Sequence, residues 1–425
     1  MKMKLKRFLA LWAALALVLA GCGAPPGDAP ASSPPPSSSG EPAQEEDAQE
    51  EAAPREPLGS GGVYYEDGVE PLEGEQEVLL RDYMTAYYEA LARLEPGDPG
   101  EFFAPGSEAQ ALGNGAIWAF LSGLRGMQRT DLSLVSYRFE LTVTGTEENS
   151  DGSVSVSASE YSVQNFAAHP EVDSESFGVR HQFTLVWEGG EWLLSGHMQM
   201  DSLYYSVMGR LMRPGSGGNV SEGYFEGRLQ ELLDEAAADT ALRLTQGSGG
   251  EQEADHPYDR EAAVEYAHAW TGQRSGEWPD YGRYGGNCQN YVSQCLLAGG
   301  IPMDPYGGAV WKWYGETPNN LAVAAGRSAS WSSVDEFLAY AQDNSGYGLA
   351  ATADAPYYSG RPGDVIHLGN GEDWRHTVLI VDTVEEDGET VDYLVDSNTA
   401  DLRNFPVSAY AYTSQLLIRI HGWND

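Results

Sequence analysis

Two glycine-rich breaks, Arg213-Pro214-Gly215-Ser216-Gly217-Gly218 and Gly247-Ser248-Gly249-Gly250, divide the apolar residues of this chain into two blocks. Such runs neither propagate a helix nor pack well in a strand, so they read as joints. At 425 residues the chain is also longer than one hydrophobic core usually serves. The expectation is two folded domains, at 61–213 and 251–425, with a helix and flexible linker over 214–250. That helix is read near Ser221–Leu244, where Phe225, Leu229, Leu232 and Leu233 share a face.

Residues ahead of the first block contribute to no core. Lys2, Lys4, Lys6 and Arg7 precede an apolar run of 13 residues, Phe8–Ala20. The run is too short to cross a bilayer permanently but suits a signal peptide. It ends Leu19-Ala20-Gly21-Cys22, which resembles a bacterial lipobox. The resemblance implies that residues 1–21 are removed and that Cys22 is acylated. The mature chain would then be extracytoplasmic and held at the cell membrane by a lipid anchor. Residues 22–60, rich in Pro, Ser, Gly, Ala and Glu, cannot bury enough surface to offset ordering and read as a disordered linker.

The formal charge is −40, and loss of the four basic residues in 1–21 would take it to about −44. A surface this acidic repels nucleic acid, so no nucleic-acid partner is expected. Besides Cys22 the only cysteines are Cys288 and Cys295. Seven residues of helix separate them by about 10.5 Å, beyond disulfide reach. Unpaired thiols in an exported protein call for a reason, and catalysis is one.

The middle block opens with helical spacing of Val78, Leu79, Tyr83, Tyr87, Leu91 and Leu94, and Ala116–Met127 reads as a second helix. Four strand-like stretches follow, near Leu134–Thr144, Ser153–Asn165, Gly178–Trp187 and Glu191–Met200. Helices followed by a meander imply an α+β domain with helices on a curved sheet. Nothing in this block signals chemistry.

The last block does. Gly285-Gly286 closes a turn, Asn287 stands at an N-cap position, and Gly299-Gly300 ends the helix. Cys288 therefore falls in the first turn, where free amides and the helix dipole should favour a thiolate and could hold an oxyanion. Cys295 reads as core. A thiolate needs a base, and among the eight histidines His376 opens a buried-strand pattern, His376-Thr377-Val378-Leu379-Ile380-Val381. Asn398 or Asp396, ending a following strand, could orient its ring. His367 and Asp364 read as structural, and Trp311, Trp313, Trp331 and Trp374 as core or a stacking wall. No metal, nucleotide or other cofactor motif is present in the sequence, so no cofactor is expected.

These residues resemble the putative amidase domain family of Gram-positive bacteria, a divergent relative of the NlpC-type and papain-like cysteine hydrolases. The match rests on Tyr258-Asp259-Arg260, Ala262-Ala263, Tyr266-Ala267, the block Cys288-Gln289-Asn290-Tyr291-Val292-Ser293-Gln294-Cys295, Gly299-Gly300-Ile301-Pro302, Trp331, Gly363-Asp364-Val365-Ile366 and Trp374-Arg375-His376. It implies an α+β papain-like fold and amide hydrolysis with Cys288 as nucleophile, His376 as base and Asn398 in the orienting position. Gln289, Tyr284 and Trp374 are candidates for the oxyanion pocket or cleft. The implied substrate is a peptide or peptidoglycan-derived amide of the cell wall. The family usually carries Asp and Thr where Asn287 and Gln289 stand, and often His in the third position. Those departures motivate an alternative, a catalytically decayed module that binds wall or ligand.

Overall fold

The computed structural model describes residues 56–211, 222–246, 252–306, 310–313 and 326–425. The signal peptide, Cys22, most of the linker at 22–60 and both glycine-rich breaks lie outside the described residues.

From Pro57 to Asp425 the chain forms one compact unit. Its first half runs β1 (Gly59–Tyr65), α1 (Gly74–Arg93), α2 (Glu108–Gly126), β2 (Leu134–Glu148), β3 (Val154–Phe166), β4 (Ser174–Glu188), β5 (Glu191–Met200), α3 (Ser202–Leu211) and α4 (Glu222–Thr245). The second half runs α5 (Arg260–Trp270), α6 (Cys288–Ala298), α7 (Ala329–Ser332), α8 (Val334–Asp343), β6 (Gly348–Ala355), β7 (Val365–Asn370), β8 (Asp373–Glu386), β9 (Glu389–Ser397), β10 (Asp401–Pro406) and β11 (Ser414–Asn424). The architecture is mixed α+β. All four meander stretches are strands. The strand Gly59–Tyr65 begins two residues inside the stretch assigned to linker, because it pairs in parallel with β2 while Val63 and Tyr65 pack on the core.

The two halves share one sheet, ordered β1-β2-β3-β4-β10-β9-β8-β7-β11-β6, with β5 also on β4. Strand β4 is long enough to serve both sides. Its Arg180–Glu188 portion pairs with β5, and Glu175–Phe177 pairs antiparallel with Arg403–Asp401 of β10. The other edge of β10 pairs with β9. A reading of two separate domains therefore gives way, over the described residues, to one continuous sheet.

Period-two alternation sends the sheet's side chains into two cores. Ile366, Val378, Ile380, Tyr393 and Leu417 join Leu80, Tyr83, Phe139 and Phe183 of the first half in one. Val365, Leu379 and Ile418 face the other, under Ala263 of α5, Val292 and Cys295 of α6 and Phe337 of α8. Helix α4, read as part of a linker, is a strut between the halves. Its buried Arg243 pairs with Asp239 at 2.9 Å, donates to Gln415 at 3.1 Å and lies over the Tyr357 ring.

One glycine makes a close approach possible. A Cβ on Gly299 would lie 2.2 Å from the Tyr258 ring and 2.7 Å from the Asp259 carbonyl, so only glycine lets the start of α5 seat on the end of α6. Because the cores and the sheet are shared, calorimetry of residues 57–425 should give a single cooperative unfolding transition. Two independent transitions would contradict the shared sheet.

Candidate active site

Helix α6 begins at Cys288, as its turn and cap residues lead one to expect, but the cap works differently. Asn287 makes no side-chain cap. Its Oδ1 accepts from the amide of Tyr281 (3.0 Å) and from Asn290 Nδ2 (3.0 Å), and its Nδ2 donates to Asn398 Oδ1 (2.7 Å). Its own amide donates to Thr399 Oγ1 at 2.6 Å. With the cap side chain turned away, the first-turn amides remain for the thiol. The amides of Thr377 on β8, of Gln289 and of Cys288 itself lie near enough to the thiol to favour its ionised form.

The nearby Thr377 amide places the thiol beside the residue that follows His376. Strand β8 pairs with β9 only from Leu379 onward, and α6 packs on the face that carries Leu379. His376 itself faces the first core. Its ring stacks 6.2 Å from Tyr412 and lies 5.8 Å from Tyr410, while Thr377 and Leu379 point to the α6 side. The thiol and the imidazole thus flank one strand, and no hydrogen bond between them is present. His376 Nε2 is buried without a partner.

Asn398 does not reach His376 in this arrangement. Its Nδ2 donates to the carbonyls of Trp270 (3.1 Å) and Gln273 (3.4 Å), and its Oδ1 is taken by Asn287. Asp396, the other orienting candidate, is bonded to His268 Nδ1 at 2.8 Å, Thr271 Oγ1 at 3.2 Å and the Asn404 amide at 2.8 Å. Both residues serve to fasten the β9–β10 turn to α5 and α6. That turn holds Thr399 and Ala400 at φ 72° and 54°, a region costly for a β-branched residue.

Of the cleft candidates, Gln289 is buried, with Nε2 on Ser293 Oγ (3.3 Å) and Oε1 unpartnered. Tyr284 is exposed, and Trp374 packs partly buried over Gly369. Trp311 and Trp331 are fully buried beneath α6, donating to Ser293 (3.0 Å) and Asn290 (2.9 Å), so they are core rather than a binding wall. Asp364 accepts from Arg260 and from the Ile420 amide, both at 2.9 Å. Among the described residues no group of three His, Cys, Asp or Glu side chains is placed to hold a metal ion.

His367 differs from its reading as a satisfied inner residue. It is fully buried, on the α6 side, 6.0 Å from the Phe337 ring, and neither ring nitrogen has a partner. It stands directly across the ladder from Thr377. An unpaired imidazole one strand from the thiol was foreshadowed only by a polar residue interrupting an apolar strand.

Electrostatics make the resting site neutral. Burial raises the Cys288 thiol above its ordinary value, outweighing the three amides. The expectation that the helix start alone would yield a thiolate is thus corrected: the desolvation of a buried sulfur dominates. Burial also lowers His376 and His367 to about 3, with the neighbouring His376 contributing to the second.

Residues 257–421 match the model of the family described as "Putative amidase domain". The match lies in the second half of the chain and takes in the whole of α5 to α8 and the thiol-bearing helix. Among curated proteins, the "Uncharacterized protein YhbB" of Bacillus subtilis (strain 168) is 35% identical over 129 residues, covering 29% of this chain and 37% of that protein. The chain thus spans little more than a third of that relative's length. No solved structure matches.

Two predictions follow from the neutral site. Alkylation of Cys288 by iodoacetamide should be slow and reach half its maximal rate only above the ordinary thiol pKa of about 8.5. A half-maximum near 6 would overturn the neutral assignment. The buried histidines take up protons on unfolding once the pH falls below about 6.5, where the unfolded chain titrates. Their stability contribution is therefore complete above that value and lost as the pH falls toward 3. Asp392, raised by burial to about 7, works in the opposite sense. Replacing His367 by Leu should make the acid loss of stability shallower by about 1.4 kcal/mol per pH unit in urea titrations between pH 6 and 4. An unchanged slope would show that His367 is not buried and neutral.

Proposed function

We propose that the second half of this protein is a papain-like cysteine amide hydrolase acting on cell-wall peptide. The family match supports amide hydrolysis in general. The observation that carries the cysteine mechanism is the position of Cys288 at the start of α6, packed on β8, whose Thr377 amide lies near the thiol and is next in sequence to His376. In this reading Cys288 attacks the carbonyl carbon and His376 takes the thiol proton, then returns it to the leaving amine. A thioester forms as the amide C–N bond breaks, and water releases the acid and restores the thiol. The amides of Cys288 and Gln289 stabilise the oxyanion. Asn398 acts as a positioning residue, holding Asn287 and through it the start of α6, while Gln289 lies along the carbonyl's approach. At rest thiol and imidazole are not bonded and His376 faces the first core, so this reading requires the imidazole to be brought to the thiol before proton transfer.

Location supports the choice of substrate. The basic residues at 2–7, the apolar run and Leu19-Ala20-Gly21-Cys22 favour export and lipid anchoring at Cys22. Cys22→Ala should move the protein from the membrane fraction to the medium, and retention in the membrane would argue against the anchor.

A second reading has its own support. Cys288 is only 6% exposed and its thiol is neutral, as a non-catalytic wall- or ligand-binding module would have it. Digestion of purified wall material, with fragments identified by mass, separates the two. Under the hydrolase reading Cys288→Ala abolishes release, and His376→Ala lowers the rate by roughly 10²-fold or more. If His367→Ala is silent and His376→Ala inactive, the base is as assigned; the reverse pattern transfers the role to His367. Equal release by wild type and Cys288→Ala would leave only the binding module.

A further inference from the structure

A cavity lies away from Cys288, in the first half, where the sequence signals no chemistry. It has a volume of ≈ 290 Å³ and is bounded by α2, α3 and the β4–β5 hairpin. Ile117, Met198 and Met208 supply an apolar wall, and Asn114, His197 and Tyr204 a polar one. Among the described residues no Asp, Glu, Lys or Arg lines it, in a chain with 64 acidic residues.

The polar wall is the open end of a buried hydrogen-bonded chain. His197 Nε2 meets His181 Nδ1 at 3.0 Å, and His181 Nε2 meets Glu160 Oε2 at 2.8 Å. Tyr88 donates to the other oxygen of Glu160. At the near end His197 Nδ1 lies 2.8 Å from Tyr83 Oη and 3.2 Å from Asn114 Oδ1, which also accepts from Tyr204. Every member of this chain is less than a tenth exposed. A carboxylate only accepts, so His181 Nε2 carries its proton. Burial and His181 hold His197 well below its ordinary value, so it stays uncharged.

A chain of this kind is costly to bury for packing alone, because each polar group must be satisfied. Here it fixes ring and amide orientations at the wall of a void. We propose that this cavity binds a small uncharged aromatic molecule carrying a hydrogen-bonding group, of the phenol class. The polar group would meet the Asn114–His197–Tyr204 wall and the ring would lie against the thioethers of Met198 and Met208, which favour aromatic contact. The volume is at the lower end for a ligand site and fits one ring. The lack of any charged side chain on the wall disfavours ions of either sign, since neither would find a counter-charge.

The test uses p-cresol with residues 57–425, read as the shift in thermal midpoint against concentration. 4-Methylbenzoate and 4-methylbenzylammonium serve as charged isosteres. Two variants fill the space. A side chain at Gly196 meets nothing nearer than Thr184 at 3.8 Å, so Gly196→Leu projects into the cavity without a backbone clash. Ala109→Phe covers the rim from an exposed position and decides the matter if Gly196→Leu does not fold. The expected result is a saturable rise of about 2–5 °C with p-cresol, lost in a folded filling variant and absent with both isosteres. No saturable rise, an unchanged rise in Ala109→Phe, or an equal rise with either isostere would overturn the proposal.

Discussion

The hydrogen-bond ladders on the two edges of β10 are the constraint on which the rest of this structure depends. A strand of six residues, Asp401–Pro406, takes β4 on one side and β9 on the other. Arg403 adds an ion pair to Glu175 at 3.0 Å and donates to the carbonyls of His268 and Thr271, so a single side chain ties β4 to α5. The turn that feeds β10 contains Asn398 and Thr399, both bonded to Asn287. The joining of the halves and the placement of the thiol-bearing helix are therefore enforced by one short segment.

That segment explains what the sequence leaves illegible. Long alternating strands such as β2 and β3 announce themselves, because their inward residues repeat every second position over thirteen to fifteen residues. Strand β10 is short, carries Arg403 and Asn404 at its centre and ends in proline, so no local pattern marks it, and its partner β4 lies more than two hundred residues away. Glycine breaks at 213–218 and 247–250 suggest separable domains, yet a joint in the chain says nothing about pairings made far from it.

Of the candidate site, the helix start at Cys288 is legible in the sequence and the geometry around it is less so. Cys288 at a helix start is read from turn and cap chemistry that acts locally. Which face of β8 carries His376 is not, because His376-Thr377-Val378-Leu379-Ile380 is apolar on both sides once the sheet is covered twice, and parity alone cannot say which side holds α6. The buried chain in the first half did leave a trace. Glu160 follows Val156 and Ala158 in phase on β3, and His181 precedes Phe183 and Leu185 in phase on β4, so both were due to point inward. Inward-facing polar residues on alternating strands are a better flag for such networks than any motif.

The continuous sheet bears on how this family unit can be exchanged between proteins. The matched region begins at 257, but a fragment cut there would expose the β10 edge where β4 now lies, and would bare Ile366, Val378 and Ile380 on the face that the first half covers. An open apolar edge recruits other strands, its own copies included. Moved out of this chain, the region would need a surrogate for β4 and for the covering helices, and transplanting it alone would trade a folded unit for a sticky one.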